Sequence, residues 1–400
     1  MSSTTVLTGA TVALPSELLA EGAVVVVDDV LADVRPATDP MIVELTGRAD
    51  VEVIDLAGRL LLPGLVDIHV HGANGASFEK AEAAGTALTH LAGRGVTSVM
   101  TSLPSAPVDD MLATTRALID NPSEPQQSRV LGVHLEGPFI AVDQCGAHDP
   151  AFLRAPGPDD IARITELAGA ISMVTLAPEL PGAVEATRAW ASAGIIVAAG
   201  HSAASAAELG PCRDAGLSHA THLWSGMNLT HRRGPYRVPG LLEECLASDL
   251  TCEVIADGRH LPPVLLEVAR RSVGDRLIAV SDGTIGMGLP EGTRFSLSTV
   301  EAVVDDQVGK VIGQDAFAGS TTDLTGMVRH LHLELGWPLT EVVAMVTSRP
   351  AEIAGVADRL GSITAGLTAD LVVLDSDCSP VATMIGGSWV AGNPTSATHA

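Results

Sequence analysis

The sequence predicts an α/β fold: a (β/α)8 TIM-like barrel joined to a small β domain that both chain termini build. Three observations lead to this prediction. Eight short apolar, β-branched runs alternate with helical patterns through the middle of the chain, whereas both ends carry strand patterns with little helical spacing. No G-x-G-x-x-G turn follows the first run, so the alternative of an open doubly wound sheet is disfavoured.

The eight predicted strands follow one another along the chain, at residues 61–71, 95–103, 130–139, 171–179, 195–202, 217–224, 251–258 and 277–283. Segments with helical spacing separate them, among them 80–92, 159–168, 184–193 and 263–271. Alternating strands and helices imply parallel βαβ units, and eight such units close a barrel.

The regions outside these eight units have their own patterns. Residues 284–311 predict an insertion after the eighth strand, with short strands at 294–297 and 310–312, and helices at 322–335 and 339–346 complete the barrel. Residues 4–58 and 361–390 both have strand character. We therefore predict a small β-sandwich domain from 1–60 plus 356–400 and a metal-dependent barrel domain from 61–355.

Composition excludes several classes of protein. A formal net charge of −25 repels phosphate backbones and anionic lipids, so we expect neither nucleic acid nor membrane as a partner. The apolar runs are far shorter than the ~20 residues that span a bilayer. The amino-terminal residues lack a secretory pattern, so we expect a cytoplasmic location. Five scattered cysteines, none in C-x-x-C spacing, argue against disulfides and against a thiolate zinc site.

Histidines and acids mark the carboxyl ends of the predicted strands. His69 and His71 are two residues apart on the first strand, so their imidazoles face the same side. Each such residue has an ordinary alternative role, such as a helix cap or a solvated acid. Because strand ends of a barrel meet at one rim, the set together predicts a metal site, with ligands His69, His71, Glu136, His201, His222 and Asp282.

The types of these ligands narrow the metal and the reaction. Imidazoles and carboxylates without thiolates suit Zn²⁺, with Fe²⁺ or another transition metal as the alternative, and leave an open position for water. A water bound to such a metal has its pKa lowered from 15.7 towards about 7. The sequence therefore predicts a hydrolase.

The same strand ends lie within longer motifs, at residues 63–72, 134–139, 146–148, 176–179, 199–202, 221–224, 255–260 and 281–282. With these motifs the chain resembles the amidohydrolase superfamily and, within it, the N-acetylglucosamine-6-phosphate deacetylases. The resemblance extends over almost the whole chain. The glutamate motif at 134–139 and the Ala-Asp-Gly-x-His motif at 256–260 are the ones that point to the deacetylases.

The resemblance implies how the ligands divide between metals. Glu136 with His201 and His222 would hold one ion, and His69 with His71 a second and weaker one. A carboxylated lysine bridges the metals in many relatives, but Lys80 and Lys310 are the only lysines and neither lies at a predicted strand end. We therefore expect one or two divalent ions per subunit, with Glu136 in the place of the lysine.

The resemblance also implies the roles of the remaining residues. Asp282 would act as general base and then general acid, and His148 would stabilise the oxyanion together with the metal. Arg233, in the arginine-rich loop 230–237, and His260 would bind the substrate phosphate, in a homodimer in which one such contact crosses the interface. The predicted substrate-binding residues are Ala147, His148, Ser225, Gly226, Arg233 and His260.

Some alternatives stay open at this point. Ser225-Gly226 replaces the Asn-Ala that the family usually has, so a side-chain amide is lost from the phosphate cradle. N-acetylgalactosamine 6-phosphate is an alternative substrate, and an N-acyl-amino-acid hydrolase is an alternative enzyme. An inactive relative is disfavoured because every expected ligand is present. Cys145 is expected on a loop near the site as an inert thiol, with a redox-sensitive gate as the alternative.

Overall fold

The computed structural model describes residues 3–395. Eight parallel strands form one sheet in chain order. The sheet closes on itself because Val70 bridges to Gly283 and the Asp282 N–H donates to the His69 carbonyl at 2.9 Å. The predicted (β/α)8 barrel is confirmed. Barrel strands one to eight are Leu65–Val70, Val96–Leu103, Arg129–Glu136, Ile171–Leu176, Ile196–Ala199, His219–Ala220, Thr251–Val254 and Leu277–Ala279.

Helices connect successive barrel strands, as predicted. They are Ala84–Gly93, Val108–Asp120, Pro158–Glu166, Ala183–Ser192, Ala206–Asp214, Leu241–Ala247 and Pro263–Val273, with Leu324–Arg329, Leu339–Val346 and Ser348–Ile353 after strand eight. Short 3-10 turns lie at Ala81–Ala83, Val142–Gln144, Pro150–Phe152 and Gly274–Arg276. The helix predicted at 322–335 begins later, since Asp323 caps it by accepting from the Gly326 N–H at 2.9 Å, and its second half is a π-helix, His330–Glu334.

The first predicted strand, 61–71, is in fact two strands in two sheets. Leu60–Pro63 pairs with Thr4–Ala13 and Leu371–Leu374 in the terminal sheet, and only Leu65–Val70 belongs to the barrel. Gly64 joins them, with its N–H donating to the Asp370 carbonyl at 2.8 Å. Both strands are largely buried, so their apolar pattern is continuous and does not show where the chain changes sheets.

The two termini form one sheet of eight strands. These are Thr4–Ala13, Leu18–Val27, Val30–Pro36, Glu52–Asp55, Leu60–Pro63, Leu371–Leu374, Pro380–Ile385 and Ser388–Gly392. An unpredicted helix, Pro40–Thr46, packs its Ile42 against Val6 and Val25. The Arg129–Asp370 ion pair, at 2.7 Å, joins this sheet to the barrel. The domain division at 1–60 plus 356–400 and 61–355 stays a prediction.

The insertion after strand eight is a small antiparallel sheet. Its strands are Arg294–Leu297, Val300–Asp305, Val308–Val311 and Phe317–Ser320. The predicted strand at 294–297 is therefore confirmed, while the insertion extends beyond its predicted end at 311. Two short hairpins complete the structure: Gly72–Ala73 with Ala76–Ser77, and His231–Arg233 with Tyr236–Val238. Among residues 3–395, no helix combines the length and apolar character that crossing a bilayer requires.

We expect Gly64→Ala to destabilise the junction between the two sheets. A Cβ at this position would lie 2.3 Å from Thr97 Oγ1 and 2.4 Å from its Cγ2, and Thr97 is buried in strand two. Overpacking of this kind lowers the free energy of unfolding by about 1–3 kcal/mol, which urea denaturation measures. Thr97→Ala is the control, and the double variant should recover only part of the loss, because the Thr97 Cβ would still lie 2.9 Å from the new Cβ. Additive losses in the double variant would contradict this interpretation.

Candidate active site

The six predicted metal ligands meet at the carboxyl ends of the barrel strands. The Glu136 carboxylate lies at the centre: its Oε1 is 2.9 Å from His222 Nε2 and 3.1 Å from His201 Nε2, and its Oε2 is 3.1 Å from His71 Nε2. Asp282 Oδ1 is 3.4 Å from His71 Nε2. The structure thus brings together residues that are more than 200 positions apart in the chain.

The arrangement of these atoms fits a divalent metal. The Nε2 atoms of His201 and His222 are 3.2 Å apart, and those of His69 and His71 are 3.3 Å apart. Three sets of three donor atoms lie within 4.8 Å of one another: His69–His71–Asp282, His69–Glu136–His222 and Glu136–His148–His201. Nitrogen and oxygen donors without sulfur, directed at common points, are typical of catalytic Zn²⁺ or Fe²⁺ sites.

The pKa shifts of these side chains also reflect how closely they approach one another. Burial raises the pKa of the Glu136 carboxyl, but His69 and His148 outweigh it and hold the pKa well below its ordinary value. Burial lowers the pKa of His71, yet its hydrogen bonds to Asp282 and Glu136 raise it to about 9. Two carboxylates thus create a negative site that attracts cations, and a divalent ion would take over the role of the protons.

Backbone strain occurs at two of the candidate ligands. His201 has φ 47° and Asp282 has φ 45°, both in the left-handed region, which costs a non-glycine residue about 1–2 kcal/mol. Hydrogen bonds on both sides hold Asp282 there: its N–H donates to His69 O, and its carbonyl accepts from the Ser320 N–H, both at 2.9 Å. Such strain is concentrated at functional sites because the surrounding structure imposes it.

His201 is oriented by a backbone carbonyl. Its Nδ1–H donates to Gln144 O at 2.8 Å, so Nε2 presents its lone pair to the site. Gly226, at φ 58°, lies against this contact: a Cβ there would be 2.7 Å from His201 Nδ1 and 3.1 Å from Gln144 O. Gly226, which departs from the family pattern at this position, therefore leaves room for the His201 ring and for the Gln144 carbonyl that holds it.

The hydrogen bonds of His148 indicate that its ring donates an N–H to the site and does not bind a metal. Its Nδ1 accepts from the Ser105 backbone N–H at 3.1 Å, so in the neutral ring the hydrogen is on Nε2. That atom lies 3.3 Å from Glu136 Oε2. Burial lowers the pKa of His148 to about 4, so the ring is neutral at pH 7. His148 can thus direct an N–H at the reaction centre.

A cavity of about 560 Å³ opens above these residues. Five of the six predicted substrate-binding residues line it: Ala147, His148, Ser225, Gly226 and His260. Arg233 does not, because it lies on the exposed hairpin His231–Arg233 with Tyr236–Val238. Cys145 lies on the loop before Gly146 and lines a neighbouring cavity. Burial raises the pKa of the Cys145 thiol, which agrees with an inert thiol.

Within residues 3–395, His260 is held through one ring nitrogen, Nδ1. Its Nδ1–H donates to Asp257 Oδ2 at 2.7 Å, and Asp257 also accepts from the Ser320 hydroxyl at 2.8 Å. The His260 ring packs against Phe317, with ring centroids 4.8 Å apart. Because Nδ1 is engaged, Nε2 is the nitrogen left for a ligand in the cavity.

Sequence reasoning missed the wall that the insertion contributes. Lys310, Gln314 and Phe317 line the cavity, and Lys310 pairs with Phe317 across the small sheet. Lys310 is the one lysine or arginine among the lining residues of the described chain. No local sequence pattern marks these residues, because the rule that polar residues at barrel strand ends face the active site does not apply to an insertion. Glu253 was also missed, although an acid within an apolar strand was a visible signal.

Comparison with known proteins gives the family. The sequence profile of the amidohydrolase family matches residues 60–391. The chain belongs to the amidohydrolase family. This family is metal-dependent, which agrees with the donor set at the strand ends of this amidohydrolase.

Individual relatives are similar over most of this amidohydrolase. N-acetylglucosamine-6-phosphate deacetylases from Danio rerio and Vibrio furnissii are each 32% identical to it, covering 86% and 88% of the chain and 87% and 88% of the relative. Among solved structures, a mutant of N-acetyl-D-glucosamine-6-phosphate deacetylase from Mycobacterium smegmatis, in complex with N-acetyl-D-glucosamine-6-phosphate, has a TM-score of 0.87 and 31% identity. It covers 97% of this chain and 100% of its own.

We expect His148→Phe to lower the hydrolytic kcat by about 10²–10³-fold, the usual cost of losing an oxyanion donor, while the bound metal is retained. The reason is that Nδ1 is engaged by Ser105 and Nε2 carries the hydrogen. Elemental analysis beside steady-state kinetics measures both effects. His222→Phe is the matched control, and it should lose metal. If His148→Phe loses metal to the same extent, His148 is a ligand and the donor role is wrong.

Proposed function

We propose that this amidohydrolase hydrolyses the acetamide of N-acetylglucosamine 6-phosphate to glucosamine 6-phosphate and acetate. The observation that carries the proposal is the convergence of Glu136, His201 and His222 on one point beside Asp282 and the donor His148. The deacetylases from Danio rerio and Vibrio furnissii match 86% and 88% of the chain. A metal-dependent amide hydrolysis is the chemistry that this set of residues can perform.

The metal proposed for the site is Zn²⁺, with Fe²⁺ as the alternative. Glu136, His201 and His222 would hold one ion, and His69, His71 and Asp282, which form one of the three donor sets, would hold a second. A bound divalent ion supplies Lewis acidity, which lowers the pKa of water and polarises a carbonyl. Apart from Asp282, the side chains of these two groups are four imidazoles and the Glu136 carboxylate, and all five are buried. They are therefore already ordered for metal binding.

Two residues of the chain would move protons and stabilise charge. Burial raises the pKa of Asp282, but its hydrogen bond to His71 and the charge of His69 outweigh it and lower the pKa below its ordinary value. The carboxylate is therefore ionised at neutral pH, accepts a proton from the attacking water and delivers it to the leaving amine. His148 donates its Nε2–H to the oxygen that becomes negative as the acetyl carbon turns tetrahedral.

The substrate phosphate would lie at the edge of the cavity. His260 Nε2 can bind the phosphate there. Because Ser225 has no side-chain amide, the remaining candidate donors at 225–226 are backbone N–H groups. The Ser225 N–H already donates to the His222 carbonyl at 3.1 Å, so Gly226 provides the candidate N–H. Arg233 lies outside the cavity of its own chain, and we propose that it reaches the phosphate of a second copy in a homodimer.

Asp282→Asn should lower kcat on N-acetylglucosamine 6-phosphate by about 10²–10⁴-fold, because the amide cannot accept the water proton. Asp315→Asn is the matched control, since Asp315 lines the same cavity but is not part of a metal-binding group. Steady-state kinetics of metal-reconstituted protein measures both. Near-normal turnover by Asp282→Asn would end the assignment of the general base.

The substrate itself is tested by comparing N-acetylglucosamine 6-phosphate, its unphosphorylated form and N-acetylgalactosamine 6-phosphate. We expect the highest kcat/KM with the first, and activity that chelation removes and divalent metal restores. A higher kcat/KM with the galactose epimer would replace the sugar in this proposal. Equal kcat/KM with and without phosphate, or activity that survives chelation, would contradict the proposal itself.

The proposal that Arg233 reaches the phosphate bound by a second copy of the chain can be tested directly. Arg233→Ala should raise KM for the phosphorylated sugar by about 10–100-fold, the loss of one charged hydrogen bond, and Arg232→Ala on the same hairpin is the control. Co-expressed Arg233→Ala and Asp282→Asn chains form mixed dimers in which one site has neither defect. Such mixtures should regain about a quarter of the normal activity. No regain would place Arg233 outside the neighbouring site.

A further inference from the structure

Glu253 has no role in the chemistry described so far. It lies in barrel strand seven, Thr251–Val254, and its side chain is fully buried. A buried carboxylate is costly unless hydrogen-bond donors surround it. The groups that Glu253 contacts therefore show what the residue is for.

Three donors surround the Glu253 carboxylate. Oε2 accepts from His69 Nδ1 at 2.9 Å and from the His222 backbone N–H at 3.0 Å. Oε1 accepts from His219 Nε2 at 2.9 Å, and His219 Nδ1 lies 2.6 Å from Thr251 Oγ1. The carboxylate thus accepts three hydrogen bonds, two of them from candidate metal ligands, namely the His69 ring and the His222 backbone.

The contact with His69 determines which ring nitrogen faces the site. An ionised carboxylate only accepts hydrogen bonds, so the hydrogen of His69 is on Nδ1. Its Nε2 then presents a lone pair 3.3 Å from His71 Nε2 and 3.6 Å from Asp282 Oδ1. The opposite tautomer would leave the carboxylate without this donor and turn an N–H towards the metal position.

This support is specific to one ligand. Four imidazoles are candidate metal ligands. The His201 Nδ1–H donates to the Gln144 carbonyl. The Nδ1 atoms of His71 and His222 have no hydrogen-bond partner within residues 3–395. His69 alone among the four donates to a carboxylate through Nδ1. A carboxylate behind a ligating imidazole fixes the ring and raises its basicity, and its loss typically costs 10–100-fold in metal affinity.

We propose that Glu253 is a positioning residue that fixes the tautomer and orientation of His69 and thereby sets the affinity of the metal position formed by His69, His71 and Asp282. This inference rests on the metal-binding role in the proposed function. The other position depends on Glu253 less, because His222 contacts it only through the backbone, and the Leu223 N–H holds the same segment by donating to the Glu253 carbonyl at 2.8 Å.

The test compares Glu253→Gln and Glu253→Leu with wild type. Gln keeps an oxygen that accepts from His69 and an amide that donates to His219, so this variant is expected to fold. Leu removes all three hydrogen bonds at similar volume. Thr251→Val is the matched control, because it alters the far end of the same hydrogen-bonded chain, where Thr251 contacts His219.

The measurement is a competitive titration of metal-free protein with Zn²⁺ and a chelator, with elemental analysis of the bound ions. We expect the weakest ion to bind about 10–100-fold less tightly in Glu253→Leu, by a smaller factor in Glu253→Gln, and unchanged in Thr251→Val. An unchanged affinity in Glu253→Leu overturns the proposal. Where wild type binds two ions, an equal loss at both also overturns it, because that is the result of a merely structural role.

The outcome is independent of the substrate. If the wild-type chain binds Zn²⁺ but does not hydrolyse the amino-sugar phosphate, the proposed function fails while the affinity comparison still decides the role of Glu253. If wild type binds a single ion, the same comparison is made on that ion: a 10–100-fold loss supports the role, and no loss overturns it.

Discussion

One buried carboxylate determines the architecture of the site. Glu136, at the end of barrel strand three, lies within 3.5 Å of the Nε2 atoms of five imidazoles: His69, His71, His148, His201 and His222. In a water-poor interior such a group is stable only with positive or donating partners. The barrel meets this requirement because the ends of strands one, five and six and the loop that carries His148 direct these side chains to the same rim. The proposed metal and catalytic roles follow from this one requirement.

A second layer of contacts orients three of these imidazoles. His201 is oriented by the Gln144 carbonyl, His148 by the Ser105 backbone and His69 by Glu253. Nδ1 donates in His201 and His69 but accepts in His148, so the same side chain can serve as a ligand in one place and as an N–H donor in another. Ring chemistry alone does not separate these roles, whereas the partner of Nδ1 does.

The sequence predicted much of the site because barrels follow a simple rule. A polar residue at the end of an apolar strand points to the active face, and this rule found Glu136, His201 and Asp282 without coordinates. It failed where no strand end is involved. Lys310 reaches the cavity from the inserted sheet, and Arg233 lies on an exposed hairpin away from the cavity of its own chain.

By itself, therefore, the sequence determined the barrel, the small sheet at the termini and the list of donors, since these depend on local periodicity and on residue type at strand ends. Only the tertiary structure decided where the first predicted strand divides at Gly64, which nitrogen of His148 and His69 carries the hydrogen, and that Glu253 holds His69. These features arise from contacts between residues that are far apart in the chain, and such contacts leave no periodic trace in the sequence.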